Sequence, residues 1–353
     1  MGTLQVVVDG QYGSVGKGAV CAHLARECLM ASNSPGLSAV RVAGPNAGHS
    51  AVDAAGRKWP LRQIPVAAVI DPDARLYIAA GSEIDPQVLE AEITLLEAGG
   101  HEIRERLVID PMATVIDEVH LRLEADADLT GRIGSTGKGI GAARADRIMR
   151  RAAVVRDTAL NDLYNVAPVA PLLRIDLDYD RTVQVEGTQG YGLGLHHANY
   201  PQVTSSNCRA IDFMAMAGVS PWDEVVDDLQ IWLVFRPYPI RVAGNSGPLL
   251  DETTWAELGL PDEHTTVTQK VRRVGRWDGK LAREAVYANG GPSDKLYLAL
   301  TMADQLDEGI VGVTTQRALQ MSEPVLEFLD RVDADCDQAV SLVGTSDRTA
   351  VRL

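Results

Sequence analysis

The feature that most constrains this chain is a repeated alternation of short apolar runs with helix-period stretches. Residues 4–9 (LQVVVD) form a β-branched apolar run, the pattern of a parallel-sheet strand buried on both faces. The turn GQYGSVGKG follows, and a helix is expected from about Lys17 to Met30. Comparable runs recur at 38–43 (SAVRVA), 74–80 (ARLYIAA), 106–110 (RLVID), 182–187 (TVQVEG), 230–235 (QIWLVF) and 295–301 (KLYLALT). Helix-period segments lie between many of them, as at 85–98 and 323–333. Strands that alternate with helices need crossover connections, which predicts an α/β fold with a largely parallel central sheet and helices on both faces. With no fixed-period repeat, low-complexity tract or Pro/Ser linker, one domain over 1–353 is the expected organisation.

Composition narrows the function. Acidic residues number 48 against 33 basic, a net charge of −15, which speaks against a nucleic-acid binder held by phosphate contacts. Aromatics at 5% leave little for base-stacking platforms. No apolar run reaches the roughly 18 residues of a membrane span, and MGTLQVVVDG has no basic n-region. Cys21, Cys28, Cys208 and Cys336 show no metal-ligand spacing, so reduced thiols in a cytoplasmic protein are expected. Basic residues concentrate at Arg144, Arg147, Arg150 and Arg151, and again at Lys270, Arg272, Arg273 and Arg276. In an acidic chain these read as anion sites or as two solvated faces. The adjoining segments GSTGKGIG and TTVTQKVRR favour anions, because glycines and threonines supply backbone N–H donors to phosphate or carboxylate oxygens.

Two loops carry candidate chemistry. Gly10-Gln11-Tyr12-Gly13-Ser14-Val15-Gly16-Lys17-Gly18 ends a strand and opens a helix, as a phosphate-cradling loop does. It is not a Walker A loop, since no glycine stands five before Gly16 and Gly18 replaces the Ser/Thr after the lysine. A plain structural turn is the alternative. Pro45-Asn46-Ala47-Gly48-His49-Ser50 follows the run ending near Ala43. A lone His there is more often structural, but strand C-terminal ends are where open parallel sheets bind ligands.

Taken in order, GQYGSVGKG with NAGHS, GSTGKGIG with Arg150, EGTQG, YPQVTSSN, TTVTQKVRR and the terminal SDRT resemble the adenylosuccinate synthetase family over essentially the whole chain. That family reads G-x-x-W-G-D-E-G-K-G-K, N-A-G-H-T, G-T-T-G-R-G-I-G, E-G-A-Q-G and Y-P-x-V-T-S-S-N. The resemblance implies a P-loop-like α/β fold, a homodimer, Mg2+, and ligation of L-aspartate to a purine nucleotide through a 6-phosphoryl intermediate. One departure stands out: Ser14 occupies the place of the family's catalytic aspartate. Loss of that carboxylate makes room for a 2-amino group, with the hydroxyl as acceptor. The chain therefore resembles the family's phage branch, which acts on dGMP and supplies 2-aminoadenine for DNA. An ordinary IMP-using synthetase and a catalytically silent nucleotide binder remain the alternatives.

By motif position the resemblance assigns catalysis to Ser14, Lys17 and His49, with His49 donating to the departing phosphate oxygen. The triphosphate would meet Gly13, Ser14, Val15, Gly16, Lys17, Gly18, Gly48, His49, Ser50, Arg272 and Asp304, with Mg2+ at Ser14 and Gly48. The monophosphate nucleotide would meet Ser14, Asn46, Ala47, Ser135, Thr136, Gln189, Thr204, Gly244 and Lys270, with Arg150 reaching over from the other subunit of the dimer. Aspartate would bind Thr265, Thr266, Val267, Thr268, Lys270 and Arg272. Asp304 is a second departure, because the family's T-K-L-D has become Thr301-Met302-Ala303-Asp304, losing the lysine and keeping the carboxylate. An acceptor-only group suits the adjacent N–H donors of guanine, which favours GTP over the ATP more usual in the phage branch. A helix N-cap is the plainer role for Asp304. His196 and His197 receive no role.

Overall fold

The alternation builds one ten-stranded sheet among the described residues. The computed structural model describes residues 1–353 except 33, 43, 266–269 and 321. In chain order the strands are β1 (Thr3–Asp9), β2 (Leu37–Arg41), β3 (Arg75–Ile78), β4 (Leu107–Ile109), β5 (Asn165–Val166), β6 (Thr182–Glu186), β7 (Asp228–Phe235), β8 (Leu296–Leu300), β9 (Val340–Gly344) and β10 (Ala350–Arg352). Across the sheet they run β10-β9-β8-β7-β1-β6-β2-β3-β4-β5. Every pairing is parallel except β9 with β10. The largely parallel sheet expected from the apolar runs is thus the observed one.

Both faces of the sheet are covered, and β1 shows why its run has no polar alternation. Leu4, Val6 and Val8 point into one apolar cluster with Leu173, Phe213 and Leu233. Val7 points into the other, with Leu24, Trp59 and Trp232. The helix Lys17–Met30 packs on the second face. The helix Pro86–Ala98 starts where its sequence says it must: Asp85 accepts from the Gln87 and Val88 amides, and Pro86 fills the first turn. All four cysteines are free thiols. No helix among the described residues is long and apolar enough to cross a membrane.

Three differences from the sequence reading have local causes. The runs at 38–43 and 74–80 overshoot their strands, which stop at Arg41 and Ile78 where the chain turns into loops. His49 was expected on a loop but is the first residue of a strand, His49–Val52, paired antiparallel with Lys58–Leu61. The C-terminal hairpin of β9 and β10 and a small three-stranded sheet (Ile240–Arg241, Arg273–Gly275, Glu252–Thr253) are too short to leave a period in the sequence.

The consequence for function is positional. β1 lies between β6 and β7, so the chain leaves it to one side and returns on the other. The crevice at such a switch point, beyond the strand C-termini, is where open α/β sheets bind ligands. Gly10–Gly18, Asn46, Gly187–Gln189, Arg236 and Thr301–Asp304 all follow the C-terminal ends of these strands.

Candidate functional site

The turn after β1 is built for an anion. Gly13, Ser14 and Gly16 have φ of 92°, 55° and 80°, so the chain bends through the left-handed region that glycine enters without strain. Gly16 caps the helix with no side-chain hydrogen bond, and no acid sits in the first turn. The amides there are left for a negatively charged ligand. Gly18 is needed for space: a Cβ would stand 2.6 Å from the Ser50 carbonyl oxygen. Val15 is fully buried and offers only its backbone, and its carbonyl accepts from Thr301 Oγ1 at 2.5 Å. Ser14 and Gly13 line the outer rim, with Ser14 exposed.

Lys17, expected at the phosphates, turns inward in this structure. Its Nζ donates to Asp9 Oδ2 (2.9 Å) and to the Gln189 carbonyl (2.7 Å), and the side chain is almost wholly covered. The cause is Asp9, a fully buried carboxylate at the end of β1 whose pKa burial raises and Lys17 lowers. An anion so placed needs a cation beside it. Lys17 therefore ties the phosphate loop to the Gly187–Gln189 loop in this structure.

His49 is held by two residues that motif reading passed over. Arg41 and Glu186, at the ends of β2 and β6, are fully buried. Arg41 Nη1 donates to Glu186 Oε2 at 3.0 Å and contacts His49 Nδ1, and Arg41 Nη2 donates to the carbonyls of Ala47 (2.8 Å) and Arg62 (3.2 Å). Glu186 Oε1 accepts from the Val66 amide at 2.6 Å. Burial pushes the His49 pKa well below its ordinary value, helped by the Arg41 and Lys17 charges. The ring is neutral, and its Nδ1 lies 3.0 Å from Glu186 Oε2 as well as against Arg41 Nη1, so the pair claims Nδ1 and leaves Nε2. That atom is buried and has no partner among the described residues. A neutral imidazole with Nε2 unclaimed is equipped to hydrogen-bond a phosphate oxygen in the tautomer that carries its proton there.

Beside this cluster lies a cavity of about 160 Å³. Asn46, Ser135, Thr136, Gln189 and Thr204 all line it, so five residues expected to hold the purine nucleotide converge from four segments of the chain. Ser14, Ala47, Arg150, Gly244 and Lys270 are not in its wall. Ser14 is two residues from Tyr12, which is. Tyr12, Arg241 and Glu124 are among the wall residues that were not foreseen. The Tyr12 ring lies under the Arg241 guanidinium at 4.1 Å, and Arg241 Nε is buried without a partner among the described residues. Glu124 accepts from the amides of Gly139 (2.9 Å) and Gly141 (2.8 Å), which fixes the GSTGKGIG turn. A short apolar-flanked acid in a helix gives no sequence signal of that role.

The arginine concentrations resolve differently. Arg144 is paired with Glu83 at 2.7 Å and Arg151 with Asp146 at 2.7 Å, so half of the first cluster is a set of internal ion pairs. In the second, Arg273 is paired with Glu252 at 2.5 Å. Around Arg272 the chain forms a narrow neck: the Thr265 amide donates to the Lys270 carbonyl (2.9 Å) and the Arg272 amide to that of Glu263 (2.8 Å). Thr265, Lys270 and Arg272 therefore share one loop, while the expected contacts at Thr266, Val267 and Thr268 lie outside the described residues. Arg272 Nη1 donates to Glu263 Oε1 at 3.0 Å, and Arg236 Nη2 to Glu263 Oε2 at 2.7 Å. Asp304 sits in a single 3-10 turn, Ala303–Gln305, whose N-cap is Met302 with no side-chain cap bond. The capping role for Asp304 is thereby removed. Its carboxyl is half-buried and its pKa raised by that burial.

For Mg2+ the donor set proposed from the sequence is Ser14 and Gly48, both exposed. Neither is anionic, and no group of three His, Cys, Asp or Glu among the described residues could hold a metal. Mg2+ demands oxygen ligands and is usually bound by one or two carboxylates plus substrate phosphates. Neutral oxygens on an open rim fit an ion that arrives with the triphosphate.

Comparison with known proteins places this geometry. The family model described as adenylosuccinate synthetase matches residues 6–167 and 162–316. The adenylosuccinate synthetase of Pyrococcus horikoshii is 36% identical over 346 residues, 96% of this chain and 95% of that protein. That of Methanocaldococcus jannaschii is 34% identical over 350 residues, 97% and 94% of the two chains. Among solved structures, the cyanophage S-2L succinoaminodeoxyadenylate synthetase bound to dGMP and dATP superposes with TM-score 0.80 at 27% identity, covering 99% of this chain and 95% of the other. Fully ligated adenylosuccinate synthetase from Plasmodium falciparum gives TM-score 0.81 at 17% identity over all of both chains, a likeness of fold.

Proposed function

This chain belongs to the adenylosuccinate synthetase family, a C–N ligase that joins aspartate to a purine nucleotide, and we propose that its nucleotide is dGMP. The observation that carries the reading is Ser14. The family pattern has a carboxylate at this exposed, left-handed position of the phosphate loop, and here a hydroxyl replaces it. A hydroxyl takes less space than a carboxylate beside position 2 of the purine and still accepts from a 2-amino group. The dGMP named for the cyanophage neighbour supports the same reading. The greater identity to archaeal adenylosuccinate synthetases keeps IMP as the second reading.

In this scheme the donor's γ-phosphoryl group moves to O6 of the purine as N1 gives up its proton to water, and the amine of L-aspartate then displaces phosphate at C6, losing a proton to the departing phosphate. The cavity bearing Asn46, Ser135, Thr136, Gln189 and Thr204 holds the monophosphate nucleotide. His49 Nε2 donates to the departing phosphate oxygen, where developing negative charge strengthens the bond. The amides of the Gly13–Gly18 turn receive the triphosphate. Lys17 holds that turn against the Gln189 loop through its contacts to Asp9 and the Gln189 carbonyl. Mg2+, when bound, neutralises phosphate charge at the rim near Ser14 and Gly48. Arg272 and Lys270 face the aspartate, and Arg150 serves the neighbouring subunit of a homodimer. We assign the donor as GTP, because the half-buried Asp304 is not a cap and can accept two bonds from guanine.

The test is one matrix of steady-state assays: IMP, GMP and dGMP, each with ATP and with GTP, following succinylated product. dGMP with GTP should give the highest kcat/KM. Turnover of IMP alone overturns the Ser14 argument, and equal use of the two donors removes Asp304 from base reading.

A further inference from the structure

Arg236 is the point where three loops of the site meet, although no motif includes it. It follows β7 directly and is fully buried. On the phosphate-loop side, Arg236 Nη1 donates to the Ser14 carbonyl at 3.2 Å, and Gln11 Oε1 and Nε2 pair with the Arg236 backbone at 3.1 and 3.0 Å. On the side of the donor-base turn, Arg236 Nη2 reaches Gln305 Oε1 at 3.4 Å. Towards the aspartate loop it holds Glu263, whose second partner is Arg272 Nη1. The Arg272 carbonyl in turn accepts from Trp255 Nε1 at 2.8 Å.

Two guanidinium cations thus share a single carboxylate, so one positive charge is left over. Its location is legible. Arg236 and Arg272 each keep a buried Nε with no partner among the described residues, but Arg236 is wholly enclosed, while Arg272 is 13% exposed and is gripped by Glu263 at Nη1. The edge of the fork carrying Nε is the one available for a carboxylate. Were Glu263 absent, Arg272 could swing freely on its three-carbon stem, and Arg236 would be a buried cation beside Ser14 with no counter-ion.

We propose that Glu263 is a positioning residue: anchored by Arg236, it turns the free edge of Arg272 towards the incoming substrate carboxylate and fixes the neck of the aspartate loop to the phosphate loop. The proposal rests on the reading that this loop takes L-aspartate. It does not depend on which purine is used.

The experiment is Glu263→Gln in the full chain, assayed with whichever nucleotide and donor the unmodified protein turns over. KM for L-aspartate should rise about tenfold or more, the size expected for weakening a charge-assisted contact, with kcat and the nucleotide KM within about threefold. Glu263→Asp keeps the charge and shortens the reach, and should give a smaller rise in the same parameter. An aspartate KM unchanged in both variants overturns the proposal. So does an equal loss in every kinetic parameter with a lower melting temperature, which would make Glu263 a purely structural ion-pair partner. Failure of aspartate to react with the unmodified protein would instead sink the functional reading, before any variant is made.

Discussion

The site contains two arginine–carboxylate clusters that solve opposite problems. Arg41 and Glu186 form a one-to-one pair at the ends of β2 and β6, both wholly buried. Their charges cancel, and what remains is geometry: a neutral His49 with Nε2 unclaimed. Arg236, Glu263 and Arg272 form a two-to-one set nearer the surface, with Glu263 28% exposed. Their charges do not cancel, and what remains is a field. A balanced buried pair orients a neighbour without attracting ions, whereas an unbalanced one in a chain of net −15 draws anionic substrates to one spot. The same two residue types therefore serve chemistry in one place and binding in the other.

Removing one carboxylate from each cluster should separate the two most sharply. Glu186→Gln leaves Arg41 as a buried cation without a counter-charge, a change that costs about 3–5 kcal/mol in comparable pairs. Its melting temperature should fall by many degrees. Glu263→Gln also takes the carboxylate from the buried Arg236, but Glu263 is itself 28% exposed, so water can enter its place and the fall should be clearly smaller. Thermal denaturation of the two variants side by side checks this, and similar melting temperatures would break the distinction between a balanced core pair and an unbalanced rim set.

The next effect is on chemistry. His49→Ala should reduce kcat by about 10²-fold or more, in the range of general acid–base groups, with near-normal melting. A fully active or an unfolded variant would mean that the Arg41–Glu186 pair orients a packing residue.

How much of this the sequence disclosed depends on whether the signal was local. The sheet was legible because β-branched runs such as LQVVVD and QIWLVF are buried on both faces and leave no other option. The phosphate loop was legible because glycines at 10, 13, 16 and 18 stand between a strand period and a helix period. The convergence of Asn46, Ser135, Thr136, Gln189 and Thr204 came from family resemblance, since nothing in their spacing brings them together. Arg41, Glu186 and Arg236 were missed, yet each left a trace. A charge at the end of an otherwise apolar strand run, as in SAVRVA, TVQVEG and QIWLVFR, must find a partner on burial. What the sequence withholds is the partner, which for Arg41 lies 145 residues away on a neighbouring strand. The Lys17–Asp9 pair was hidden for the same reason: the buried Asp9 reads simply as the last residue of a strand.

The smallest expected effect is a pH response that stays absent from the rate. An ordinary histidine near 6.5 would lose its neutral form as the pH fell through that value. Burial, with Arg41 and Lys17 nearby, holds His49 well below 6.5. The kcat profile should therefore be free of a His49 inflection between about pH 6 and 8. Stability carries the opposite sign. Below 6.5 the unfolded chain takes up a proton on this histidine that the folded one refuses, so the ring costs stability as the pH falls towards its folded pKa. The unmodified protein should thus lose melting temperature between about pH 6.5 and 5 by slightly more than His49→Asn does. Both readouts bear on the opening comparison, because it is burial beside the Arg41–Glu186 pair that keeps the ring neutral. A rate inflection near 6.5 that disappears in His49→Asn would show a protonated imidazole. The first cluster would then carry a net positive charge as the second does, and the contrast between them would collapse.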